Sequence, residues 1–219
     1  MPEDNQTDLR RQIVEIGRRI YDRFFVAAND GNLSVRLADQ TVLVTPTGVS
    51  KGFMAPHDLI QMTLDGQVLA AQQGRQPSSE TPMHLAIYCA RPDVAAVVHA
   101  HPPAVTAFAA STVPLNAPLL PEALLCLGPV AHVPYARAGT KALPQAMLPY
   151  LADHDAFLLA NHGAVTVGRT LEAAYFGMER LELFARIRLG TLLLGATREL
   201  PAEEITHLTA LWQRTRGQV

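Results

Sequence analysis

Two histidines set one residue apart, His99-Ala100-His101, close the apolar run Val94-Ala95-Ala96-Val97-Val98. Residues two apart on a strand project to the same face, so both imidazoles point one way. Neutral imidazole nitrogens suit zinc and related ions, and a catalytic ion takes about three protein ligands with a position left open for water or substrate. The best third ligand is His162, in Asn161-His162-Gly163 after the apolar run Phe157-Leu158-Leu159-Ala160, because Gly163 permits a sharp backbone turn. Spacing alone does not make three rings converge, and the alternative is a pair of hydrogen-bonded core histidines. His57, His84, His132, His154 and His207 lack comparable partners and read as core or surface residues, although His84 lies one helical turn from Glu80.

Glu80 follows Ser78-Ser79 at the start of a helical stretch that runs to about Ala90 and is stopped by Pro92. A carboxylate there is either an acid/base, which requires a raised pKa in a partly enclosed site, or a first-turn glutamate favoured by the helix dipole. Ser78 and Ser79 are likewise either helix caps or anion ligands, and the turn at Thr47-Gly48 presents amides suited to an anion.

These residues need elements to hold them, and periodicity supplies most of those. Leu9, Ile13, Ile16, Ile20 and Phe24 recur at helical spacing, which predicts a helix over 8–28 with Thr7 as its N-cap. A turn at 29–32 precedes strands at 33–36 and 41–45, and Asp65-Gly66 marks a hairpin turn. A strand over 94–101, a helix over 103–110 and a strand over 130–133 follow, with no assignable element in the Pro-rich stretch 111–128. A helix over 140–152 leads to strands at 157–160 and 164–167 around the Asn161-His162-Gly163 turn, then a long helix over 170–194 and a last one after Pro201. Several strand pairs are joined by turns too short for a parallel crossover, so the expected fold is α/β with a largely antiparallel sheet.

At 219 residues, 48% hydrophobic and 17% charged, the chain is expected to form a single packed domain over 1–219. Its net charge of -2 is mixed along the chain with no Lys/Arg stripe, which argues against nucleic acid as a partner. Thr191–Gly195 is too short to span a bilayer and Met1-Pro2-Glu3-Asp4 is acidic where a signal peptide is basic, so a cytoplasmic protein with no membrane partner is expected. Cys89 and Cys126 are far apart, have no CxxC partner, and read as small buried hydrophobes.

Five short motifs occur in order: GNLS at Gly31 to Ser34, TPTG at Thr45 to Gly48, SSE at Ser78 to Glu80, HAH at His99 to His101 and NHG at Asn161 to Gly163. Together they resemble the class II aldolase and adducin family over most of the chain, and within it the fuculose-phosphate aldolases. The resemblance implies a three-layer α/β sandwich, a homotetramer, and an active site near a subunit boundary. It implies Zn2+, or another divalent metal, on His99, His101 and His162, with Glu80 as the acid/base and a further metal contact. It also implies that Gly31, Asn32, Thr47, Gly48, Ser78 and Ser79 hold a substrate phosphate. The implied activity is retro-aldol cleavage of a phosphorylated ketose to dihydroxyacetone phosphate and an aldehyde, through a zinc-stabilised enediolate.

Other members of the family offer alternatives. One is decarboxylation of a sugar-acid phosphate, whose enzymes Phe157 to Gly163 also resembles, and another is 4-epimerisation of a pentulose phosphate. The epimerases have Asp where this chain has Glu80, so the longer carboxylate favours the aldolase. An adducin-like interaction module is the non-enzymatic alternative, against which all three histidines and Glu80 are present. Fuculose-type enzymes use a downstream tyrosine as proton donor, and Pro114-Leu115-Asn116-Ala117-Pro118 has none. Residues 134–140 resemble a recurrent family segment, with Tyr135 read as packing.

Overall fold

The computed structural model describes residues 3–216; Met1 and Pro2, which open the acidic N-terminal stretch, lie outside the described residues. The apolar run before His99 becomes β5 (Ala96–Ala100), buried along its whole length. A strand apolar on both faces belongs in the middle of a covered sheet. There β5 lies between β1 (Asn32–Arg36) and β8 (Gly163–Gly168), antiparallel to both.

With β2 (Val42–Val44), β3 (Ile60–Met62), β4 (Val68–Ala70), β6 (Val130–Val133) and β7 (Ala156–Leu159), the sheet order is β4-β3-β2-β1-β5-β8-β7-β6. All pairs are antiparallel except β6–β7, whose connection carries α5 (Ala142–Met147) and is long enough for a parallel crossover. The expectation of a largely antiparallel sheet therefore holds.

Alternate strand residues feed two apolar clusters. Val98, Leu33, Leu43 and Leu158 pack with Ile13 and Ile20 of α1 (Glu3–Asp22), Phe108 of α3 (Pro103–Ala109) and Met178 and Leu181 of α6 (Leu171–Leu193). Val97, Val44, Phe157 and Val165 pack with Met83 and Ile87 of α2 (Thr81–Ala90) and Met147 of α5. Each such side chain contributes roughly 1.5–3 kcal/mol of burial, so helices held on both faces fix the sheet that carries the histidines.

Several expectations are corrected. The first helix starts at Glu3, so Thr7 lies inside it and is not its N-cap, and it stops at Asp22. Phe24 continues the apolar spacing but adopts φ 58 and is exposed, while Phe25 takes the core position. The expected helix over 140–152 shortens to α5 and a 3-10 turn at Leu148–Tyr150, where Pro149 cannot supply the amide an α-helix needs. The unassigned stretch contains α4 (Pro121–Cys126), against which α7 (Ala202–Thr215) packs. Cys89 is exposed near the end of α2 and Cys126 is half-buried, so neither is a buried hydrophobe. Among the described residues no helix is long and apolar enough to cross a membrane.

Candidate metal centre and anion cleft

His99 is a wholly buried residue of β5, His101 follows the strand's end, and His162 sits in the turn from β7 to β8. Each offers a ring nitrogen, and the three nitrogens lie within 4.8 Å of one another. Ring centroids are 4.7 Å apart for His99 and His162, and 5.0 Å apart for each of the other two pairs. The convergence that spacing left open is thus present. The reason differs from the expected one, since Asn161, at φ 56, takes the sharp turn. Gly163 instead makes room: a β-carbon there would lie 2.5 Å from Cδ2 of His101 and 2.6 Å from the Ala100 carbonyl oxygen.

The His99 ring donates from Nδ1 to the Ala164 carbonyl at 2.9 Å, which turns Nε2 toward the other two rings. That Nε2 is 3.2 Å from Nε2 of His101. Burial, reinforced by the neighbouring imidazoles, pushes His101 down to about 4, and burial lowers His162 as well. Three imidazole nitrogens converging on one point are the donor set a zinc-type cation takes, so the residues present fit such an ion.

Glu80 lies beside the same centre, with Oε2 3.1 Å from His99 Nε2 and Oε1 3.3 Å from His162 Nε2. Burial favours its protonated form, yet the His99 and His162 rings and the Asn32 amide outweigh burial and hold the carboxyl below its ordinary range. The expected raised pKa is therefore corrected: Glu80 rests as a carboxylate. It occupies the N-cap position of α2 without a side-chain capping bond, because its side chain turns into the site. Ser78 Oγ meets the Glu80 amide instead, at 3.3 Å.

A cleft of about 270 Å³ opens onto this centre. Its lining includes the expected Gly31, Asn32, Thr47, Ser78, Ser79, Glu80, His101 and His162. Gly48 is outside the lining and exposed, with open space where a β-carbon would stand. Gly31, at φ 70, has a structural duty: a β-carbon on it would lie 2.9 Å from the His99 carbonyl oxygen. The Thr47 amide already donates to the Gln76 carbonyl at 2.9 Å and the Ser78 amide to the Thr45 carbonyl at 3.3 Å. What these two have left to offer is accordingly their hydroxyls.

Sequence reasoning missed Lys51. Lys51 lines the cleft although it is only 1% exposed, and its Nζ donates to the carbonyls of Asn29 at 3.0 Å and Val49 at 2.8 Å. Burial lowers its pKa to about 8, with Asp30 opposing, so the ammonium is still charged at neutral pH. Its only signal in the sequence is a lysine shortly after Thr47-Gly48. Ala138 and Gly139, rather than the exposed Tyr135, bring the 134–140 segment to the cleft.

The model of the Class II Aldolase and Adducin N-terminal domain matches residues 11–189, which holds the whole centre. The chain belongs to the class II aldolase and adducin family. Among its relatives in that family, the 3-oxo-tetronate 4-phosphate decarboxylase of Escherichia coli (strain K12) is 36% identical over 209 residues, 93% of this chain and 96% of that protein. The L-fuculose phosphate aldolase of Methanocaldococcus jannaschii is 36% identical over 186 residues, 84% of this chain and 98% of that protein. The crystal structure of YgbL from Klebsiella pneumoniae aligns with a TM-score of 0.86 at 35% identity, over 93% of this chain and 98% of that one. This class II aldolase family member is thus similar in sequence to both a decarboxylase and an aldolase, and in fold to YgbL.

Proposed function

We propose that this chain is a metal-dependent lyase that decarboxylates a 3-oxo sugar-acid phosphate, with zinc on His99, His101 and His162 and Glu80 as acid/base. The observation that carries the reading is the near end-to-end 36% identity to the decarboxylase of Escherichia coli (strain K12), in a chain where three histidines converge and Glu80, His101 and His162 line one cleft. The aldolase expectation from the motifs becomes the second reading, favoured by the similar identity to the fuculose phosphate aldolase of Methanocaldococcus jannaschii.

Both reactions converge on one kind of carbanion. Loss of carbon dioxide from a 3-oxo acid and aldol cleavage of a ketose 1-phosphate each leave an enediolate that needs a proton on one carbon. A divalent ion, when bound, supplies a Lewis acid against negative charge on substrate oxygens. Glu80 handles the proton at Oε1, a buried oxygen without a hydrogen-bond partner. Its resting ionisation suits proton removal in the condensing direction, and delivery follows protonation from water in the cleft.

The two reactions differ in what leaves. An aldehyde forms only as a substrate hydroxyl loses a proton, whereas carbon dioxide needs no such base. The missing tyrosine in 114–118 therefore weighs toward decarboxylation. Lys51 and the hydroxyls of Thr47, Ser78 and Ser79 supply charge and donors for the phosphate. A homotetramer is proposed as the active form, to be measured by light scattering.

Purified protein loaded with zinc is to be given 3-oxo-tetronate 4-phosphate and fuculose 1-phosphate separately, with carbon dioxide and aldehyde followed in parallel. The reading predicts carbon dioxide from the first and no aldehyde from the second. Aldehyde without carbon dioxide would overturn it in favour of the aldolase.

A further inference from the structure

The polar residues behind Glu80 form one buried line. On α2, Glu80, His84 and Tyr88 follow at intervals of a helical turn, and on β1, Asn32, Ser34 and Arg36 alternate onto the same face. The two rows interlock. Asn32 Nδ2 donates to Glu80 Oε2 at 2.9 Å, and Asn32 Oδ1 is 2.5 Å from His84 Nε2. His84 Nδ1 is 2.6 Å from Ser34 Oγ, which is 2.7 Å from the Tyr88 hydroxyl. The four side chains behind Glu80 are all buried.

One bond sets the direction of the rest. Asn32 turns its amide nitrogen to Glu80 Oε2, which accepts, and its oxygen to His84. That oxygen also only accepts, so His84 must carry its proton on Nε2. Nδ1 then accepts from the Ser34 hydroxyl, and Ser34 accepts from Tyr88. The neutral ring this requires agrees with the strong lowering that burial imposes on His84, to about 3.

We propose that His84 is a positioning residue for Glu80: acting through Asn32, it pins Oε2 and leaves Oε1 as the oxygen that exchanges a proton with substrate. This rests on Glu80 being the acid/base, and gives a reason for a buried histidine that neither binds metal nor lines the cleft. Were His84 apolar, Asn32 could turn its oxygen to Glu80, and the carboxylate would swing.

Histidine-selective 15N NMR of the full-length protein reads the tautomer without any substrate. The expected result is Nε2–H with a bare Nδ1 at His84; the reverse tautomer overturns the proposal. Kinetics then test the role. His84→Leu should lower kcat about 10- to 100-fold with KM and zinc content held, while His84→Gln, whose amide both donates and accepts, should recover most of it. Equal kcat in both variants and the parent, or a folded His84→Gln no better than His84→Leu, would contradict it. If the parent releases neither carbon dioxide nor aldehyde, the lyase reading fails, and the tautomer still decides the buried line.

Discussion

The His101 ring lies against the backbone of Gly163, so closely that a β-carbon on the glycine would stand 2.5 Å from ring Cδ2. The place of one histidine of the cluster is thus shaped by the missing side chain beside another, His162. Gly163→Ala should displace His101 and press on the Ala100 carbonyl at the end of β5, 2.6 Å away, so thermal melting must accompany the metal measurement. The expected outcome is zinc affinity lowered by about 10-fold or more with an unchanged far-ultraviolet spectrum, read by competition with a chelator. Unchanged affinity would contradict it.

Lys51 places a buried positive charge beneath the cleft. Lys51→Met should raise KM for the phosphorylated substrate by roughly 10- to 100-fold, the size of a charged hydrogen bond of about 1.5–3 kcal/mol. Inorganic phosphate should weaken as a competitive inhibitor to the same extent. Since Lys51 also ties the Asn29 and Val49 carbonyls, thermal melting must accompany the kinetics. An unchanged phosphate inhibition constant in a folded variant would remove Lys51 from the anion site.

Glu182 on α6 is buried, and its carboxylate accepts from the amides of Ala104 and Val105, just after His101, and from Arg186 Nε at 2.7 Å. Truncation leaves those amides unpaired. Glu182→Ala should cost about 2–4 kcal/mol of stability in urea unfolding. A cost below about 1 kcal/mol would mean that water replaces the carboxylate freely.

Much of the centre was legible because local pattern carried it. The apolar run before His99 could only be a covered strand, and a strand fixes the common face of His99 and His101. Other features depend on contacts distant in sequence. His84 reads as any helical residue until β1 sets Asn32 and Ser34 against it, and Lys51 gains meaning only when the Asn29 and Val49 loops close on it. β3 and β4, at three residues each, are too short for an alternating pattern to stand out. The end of α1 escaped because Phe24 keeps the apolar spacing while its backbone has left the helix.

Buried neutral histidine has a cost in acid. In the folded protein His84 stays neutral down to about pH 3, whereas unfolded it takes a proton near its ordinary value of about 6.5. Between these limits the unfolded state binds more protons, so stability must fall as pH falls through that window. His101, lowered to about 4, acts in the same direction. Metal-free protein should show a urea midpoint that declines from pH 7 to pH 4, with a shallower decline in His84→Gln. Parallel slopes would exclude the linkage.

The central claim is that His99, His101 and His162 hold one divalent ion, and X-ray absorption at the zinc edge tests it most directly. The account predicts one zinc per chain with three imidazole nitrogens at about 2.0–2.1 Å, lost in His101→Ala and His162→Ala. Sulfur in the coordination shell, or zinc retained at full occupancy in both variants, would contradict it.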